Sequence, residues 1–402
     1  MRLIARWARQ FGIARAVCIA LLLALVPLRI ADPRPIEELR LRTFDLFQVL
    51  RPRQQTIRPV AIVDIDEASL KEIGQWPWPR TVLADLVSRL TALGAVVIGF
   101  DVVFPEPDHL SPNLLASTLR DLDDATRERL RSLPSNDQIF ADAIRLSRVV
   151  LGESVSNEPA ADAAPEASGY AVMAAKDAPD ARTFLITYPT VVHNIPILAQ
   201  AAAGHGIFTE ADEHDGIVRR APVIMHAGNG FLPSLSLEML RVASNSNSPI
   251  IRSDRNGIQS ISFGRFRLPT DRHGRLWIHF NHTDHLNRTD SSRYVSARDV
   301  LQGRTQADRI RGKLVLVGTS AIGLSDIKTT PLDPVIPGVE VHAQIVESIL
   351  SNALLSAPSW AIGAEVAAAM VFGLAIIIAA PLLPAAIVVA LGVGLIAGFV
   401  GL

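Results

Sequence analysis

Apolar positions along this chain fall into three regimes. Ala16 to Leu28 (AVCIALLLALVPL) is unbroken apolar sequence bounded by Arg15 and Arg29. Trp360 to Leu402 is apolar again, with Glu365 its one charged side chain. Between them the pattern is that of a globule, with short β-branched runs alternating with helical periodicity. Val60 to Asp64 (VAIVD), Ala95 to Phe100 (AVVIGF), Val149 to Gly152 and Leu314 to Val317 read as buried strands. Val82, Leu83, Leu86, Val87, Leu90 and Leu93 recur at helical spacing after Pro79, which can open a helix because its missing N–H is not needed in the first turn. Residues 136–147 predict a further helix, and Gly338 to Leu350 a helix that leads toward the C-terminal apolar stretch.

The strand–helix–strand order over residues 60–100 favours a parallel pair joined by a crossover. Residues 153–182, rich in Ala, Pro and Asp with little apolar pattern, predict a mobile loop. From about 206 to 280 strand-like runs at Val218 to Met225, Ile258 to Phe263 and Leu276 to Phe280 alternate with turns, with one amphipathic helix at Pro233 to Val242. The expected fold is α/β, with a mostly parallel central sheet and a β-rich inserted portion, plus transmembrane helices.

Arg2, Arg6, Arg9 and Arg15 precede the first apolar run, which places the N-terminus in the cytoplasm. That run is short, so it fits an uncleaved anchor with snorkelling arginines or a signal-peptide core. Arg29 sits where a cleavage site wants a small residue, which favours the anchor. Trp360 to Ala380 and Leu382 to Leu402 give two more spans, joined tightly around Pro381 and Pro384. Residues 1–31 then form the N-terminus and first span, 32–359 an extracytoplasmic domain, and 360–402 a helical pair. The sequence stops inside an apolar run, and the expectation is that a further helix and a cytoplasmic output domain follow in the parent protein. A chain ending at the membrane face is the alternative.

Composition narrows the options. The formal net charge is −1 and no basic field is present overall, so nucleic acid is not an expected partner. Cys18 is the only cysteine, so no internal disulfide is possible and the outer domain relies on packing.

Three segments carry a family resemblance: Asp64 to Arg80 (DIDEASLKEIGQWPWPR), Gly99 to Pro107 (GFDVVFPEP) and Gly312 to His342 (GKLVLVGTSAIGLSDIKTTPLDPVIPGVEVH). With Asp215-Gly216-Ile217-Val218-Arg219 they resemble the second type of CHASE domain, over roughly residues 35–355. That resemblance implies an extracytoplasmic sensor in the inner membrane of a bacterium, joined through membrane helices to a cytoplasmic effector. The effectors it implies are class III adenylate or guanylate cyclases, histidine kinases and serine/threonine kinases; a cyclase is the expectation, with its catalytic domain outside this sequence. Paired output domains imply a homodimer. No catalytic centre and no cofactor are expected in this segment. A membrane-tethered enzyme and an envelope scaffold that binds another protein are the rivals.

The candidate site follows from strand ends, because parallel sheets bind ligands in the crevice beyond their strand C-termini. Asp64, Asp66 and Glu67 lie beyond one strand, Asp101 beyond the second, Glu153 beyond the third, and Gly318-Thr319-Ser320 beyond the Leu314 strand. Arg80, Asp326, Glu340 and His342 are expected to join them from loops and the last helix. The alternative is that these carboxylates cap helices and tie down loops, for which Asp66 and Glu67 stand in the right place. Gly318-Thr319-Ser320-Ala321 lacks the Lys-Ser/Thr of a P-loop and reads as a tight turn. His279, His282 and His285 form a dense group, but neither helical nor strand spacing aligns them for zinc. Trp76-Pro77-Trp78-Pro79 reads as a plug at one edge of the core.

Overall fold

The computed structural model describes residues 2–54, 57–158, 170–209, 213–228, 230–247, 249–282, 293–321, 324, 326–356, 360–380, 382–384, 386–388 and 390. It divides into two units, residues 1–45 with 357–402, and residues 46–356.

In chain order, helix α1 (Arg2–Ala31) and helix α2 (Arg34–Leu50) come first. Then follow β1 (Val60–Ile65), α3 (Glu67–Ile73), α4 (Arg80–Ala92) and β2 (Val97–Phe100). Next are α5 (Pro112–Thr118), α6 (Asp124–Ser132), α7 (Asn136–Arg145), β3 (Val149–Ser156) and β4 (Ala171–Ala174). A 3-10 turn at Ala181–Phe184 precedes β5 (Thr187–Tyr188), β6 (Thr190–Val192), α8 (Pro196–Ala199) and β7 (Gly204–Ile207). The β-rich part holds β8 (Arg220–Pro222), β9 (Ile224–Ala227), β10 (Gly230–Pro233), α9 (Leu235–Ala243), β11 (Ile250–Asp254), β12 (Gly257–Phe263), β13 (Phe266–Pro269) and β14 (Arg275–Trp277). The chain returns through β15 (Tyr294–Ser296), α10 (Ala297–Leu301), β16 (Leu314–Thr319), β17 (Ile327–Lys328), β18 (Ile336–Pro337), α11 (Gly338–Leu350) and α12 (Ala361–Ala379).

The central sheet of the larger unit is mixed, in the order β15-β1-β16-β2-β3, with β7 and β6 both paired to β3. Pairing is parallel throughout except at β3–β6. β1 and β2 are not neighbours: β16, from near the end of the domain, lies between them. Leu314 to Gly318 have no exposed face, as a place inside the sheet requires. Alternation of side chains then gives the sheet two dry faces. Val60, Ile62, Val97, Leu314 and Leu316 pack with α9, α11 and the β-rich strands. Ala61, Val63, Ile98, Val315 and Val317 pack with α4 and α7. On that second face Leu83, Leu86, Val87 and Leu90 are the buried stripe of α4, and Trp78 is buried with its Nε1–H on the Gly74 carbonyl at 2.8 Å.

Residues 153–182 are less uniform than their composition suggests. Residues 153–156 continue β3, and 171–174 form β4, which pairs with β11 and so gains backbone partners without an apolar pattern of its own. Residues 159–169 lie outside the described residues.

In the smaller unit α1 and α12 pack together, with Leu22 against Gly373 and Arg29 bonded to Glu365 at 2.7 Å. Gly12–Ala31 and Ala361–Ala379 are each long and apolar enough to cross a membrane. Most of the expected third span, Leu382 to Leu402, lies outside the described residues.

Candidate functional site

Helix α11 organises the site. Of its residues, Gly338 through Ile349 are all buried, polar ones included. Its start is held close to the end of β16: a Cβ on Gly318 would come within 2.6 Å of Val339, so glycine there admits the helix. A side chain on Gly338 would likewise strike the Asp326 carboxylate, at 2.1 Å from Oδ2. Asp326 also accepts the Gly338 N–H on its backbone carbonyl at 2.8 Å, and Lys328 Nζ lies 3.1 Å from its Oδ1.

Two groups of polar side chains flank this helix. The first holds Asp101, Asp326, Lys328 and His342. Burial pushes the Asp101 carboxyl up to about 7, the neighbouring Asp326 charge adds to that, and Lys328 opposes it. His342 Nδ1 is 3.0 Å from Ser236 Oγ, and its Nε2 is 3.2 Å from the Phe208 carbonyl. A carbonyl only accepts, so Nε2 carries the proton and Nδ1 accepts from the serine. Burial lowers this imidazole to about 4, which keeps it neutral.

The second group is an ion network. Arg293 binds Glu340 through Nη1 and Glu347 through Nη2, the latter at 2.6 Å. Arg53, from the segment after α2, reaches the same Glu347 oxygen at 3.0 Å and Gln344 at 2.8 Å. Tyr294 donates to Glu340 at 2.7 Å, and Gln344 donates to it at 3.1 Å. Two arginines thus balance two carboxylates, with side chains at most 6% exposed. Burial raises the Glu340 carboxyl and Arg293 opposes that. The turn before Arg53 is fastened too: Gln48 donates to the Ile278 carbonyl and accepts the Phe280 N–H, both at 3.1 Å. Asp64 sits between the groups, accepting from Ser320 Oγ at 2.6 Å and acting electrostatically on Tyr294.

Asp64, Asp101, Asp326, Glu340 and His342 therefore gather around α11. Arg80 and Asp66 are engaged elsewhere. The Arg80 guanidinium lies 4.4 Å from the Phe104 ring centre and 3.5 Å from Asp137, and its backbone N–H donates to Asp108 at 2.8 Å. Asp66 caps α3 by accepting from Ser69 N at 2.8 Å and also accepts from Ser296 Oγ at 3.0 Å. Asp66→Ala is expected to lower stability by about 1 kcal/mol, the usual value of such a cap, as read by thermal unfolding. A loss indistinguishable from zero would show that the cap is dispensable.

The Glu153 carboxylate accepts from His193 Nδ1 at 3.0 Å and has His205 Nδ1 at 3.6 Å. His279 Nε2 is bonded to the Arg51 carbonyl at 3.1 Å, while His285 lies outside the described residues. Among the described residues no group of three potential ligands is placed to hold a metal ion. Sequence alone does not single out Arg53, Arg293, Tyr294 or Glu347. The one signal available is the polar stripe Glu340, Gln344, Glu347 and Ser348 on a helix whose remaining faces are apolar.

The fold and site define a class: an α/β domain with a buried polar axis, in a chain bearing two helices apolar enough to span a bilayer. The CHASE2 domain family matches residues 18–380, and the chain belongs to it. CHASE2 domains are extracellular sensors of cyclases and kinases, so this chain carries a sensor domain. No curated protein and no solved structure matches the chain.

Proposed function

We propose that this chain is the transmembrane sensing region of a bacterial receptor in the inner membrane, with residues 32–359 outside the cytoplasm. The output we propose is a class III nucleotide cyclase, working as a homodimer, that lies beyond this sequence. The stimulus is a ligand or protein partner that engages the strand-end crevice around Asp64, Asp101, Asp326, Glu340 and His342.

One observation carries this reading. The same helix, α11, bears Glu340 and His342 near the strand ends and Glu347 toward its other end, where Arg53 ties it to the segment that follows α2. A displacement of α11 at the crevice is thus felt where the chain turns toward the apolar helices. A ligand drives such a displacement only as far as it prefers one arrangement over the other.

The test is a fusion of residues 1–402, followed by one added membrane-spanning helix, to a cyclase catalytic domain in a bacterium lacking its own adenylate cyclase. Glu347→Gln and His342→Gln are each expected to shift cAMP severalfold at equal membrane levels of the fusion. Output unchanged by substitutions at both ends of α11 would sink the reading.

A further inference from the structure

The edge at which the central strands begin is basic. Arg58 precedes β1, Arg311 and Lys313 precede β16, and Arg148 precedes β3. Register lines them up, because Val60 pairs with Leu314, Leu314 with Val97, and Ile98 with Val149. Neighbouring strands stand about 4.8 Å apart, so these bases form a row across the sheet. Lys313 is lowered by burial and then by the charges of Arg309 and Arg58, which confirms the crowding. Arg311 lies over Gly94, and Arg145 continues the row from the end of α7. Arg58, Arg148 and Arg311 are exposed, and among the described residues their side chains make no hydrogen bond or ion pair. The acidic side chains at this edge are already beside bases: Asp142 on Arg145 and Asp308 near Lys313.

Apolar groups stand among these charges. Leu146 is 85% exposed and Ile57 45%. A groove of about 600 Å³ opens at Leu146, lined also by Thr91, Val96, Arg145, Ser147 and Arg148. Long basic side chains that surround exposed apolar ones match the chemistry of a phospholipid interface, where phosphates meet the charges and acyl chains meet the leucine.

A short connection joins this unit to α12. Helix α11 begins at the C-terminal end of β16 and ends near Arg53, ahead of β1, so it ends on the side where the strands begin. From Ser356 to Ala361, the first residue of α12, there are five Cα steps, a reach of at most about 18 Å.

We propose that this basic edge docks on anionic phospholipid headgroups of the bilayer that α12 crosses; the proposal rests on the membrane reading above. A second copy of the same edge is disfavoured as occupant, since it would set like charges face to face.

The full chain in a Cys18→Ser background provides the test. Leu146→Cys carries an environment-sensitive fluorophore, and Leu374→Cys, on the exposed side of α12, serves as the control. Each is placed in nanodiscs of brominated phosphatidylcholine, alone or with one part in three of phosphatidylglycerol. The expected result is quenching at Leu146→Cys that strengthens with phosphatidylglycerol and weakens with salt. Changing Arg58, Arg148 and Arg311 together to Glu abolishes it and changing them to Lys preserves it, each base favouring contact by about fivefold. Quenching at Leu374→Cys without any at Leu146→Cys overturns the docking alone, as does quenching indifferent to lipid charge. Absence of quenching at both positions overturns the membrane reading and the docking with it. Shielding that appears only when discs hold two copies assigns the edge to self-association and overturns the lipid proposal.

Discussion

Arg293→Met is expected to destabilise the sensor domain by about 3–5 kcal/mol, the usual cost of removing one partner from a buried ion pair. Arg293 bridges Glu340 and Glu347, and both carboxylates have side chains at 0% exposure. Without it Glu347 keeps Arg53, but Glu340 keeps only neutral partners, Tyr294 and Gln344. Its carboxyl, already raised by burial, then takes up a proton at higher pH still. Adding Glu340→Gln to Arg293→Met removes the stranded charge and is expected to recover more than about 1 kcal/mol, a coupling typical of side chains in one network. Unfolding of the two single variants and the double variant in detergent would measure this. Strict additivity would show that the network is not a unit.

Asp101→Asn is expected to stabilise the domain by about 2–4 kcal/mol at a pH near 8, with the gain vanishing near pH 4. The direction follows from the raised carboxyl. Its folded value is about 7 against an ordinary 3.8. The folded state therefore holds this proton more tightly, a contribution complete below about 4 and lost as the pH climbs to 7. Above that the fold carries a half-buried charge beside Asp326, with only Lys328 to offset it. Asparagine keeps the shape without the charge. His342 behaves in the opposite sense: lowered to about 4, it contributes above its ordinary 6.5 and loses that contribution on acidification. Because both proteins contain it, it cancels in their difference. Denaturant titrations of the pair across this range would decide, and a difference that does not change with pH would refute the assignment to Asp101.

The sequence shows the strands of the central sheet because burial on both faces requires continuous β-branched runs, as in Val60 to Asp64 and Leu314 to Val317. Helix α11 is legible for its length and periodicity. Strand order is not, since local pattern carries no record that β16 separates β1 from β2. Three-residue strands such as β15 offer too few positions for alternation to register. At the site, Asp64, Asp101, Asp326, Glu340 and His342 follow from strand ends and family motifs. Arg53 and Arg293 do not, because an isolated arginine in a polar stretch looks solvated until the tertiary fold encloses it. Arg80 and Asp66 share the crevice motifs in sequence, yet their nearest chemistry is a helix start and an aromatic cluster.

The late position of β16 governs how the protein can be made. Until residue 319 has emerged, β1 and β2 lack the strand that joins them, and a nascent chain carries two open apolar edges over some 220 residues of synthesis. Such edges invite pairing with other chains. A sensor domain interrupted anywhere before that strand is therefore a substrate for chaperones and proteases rather than a smaller working sensor.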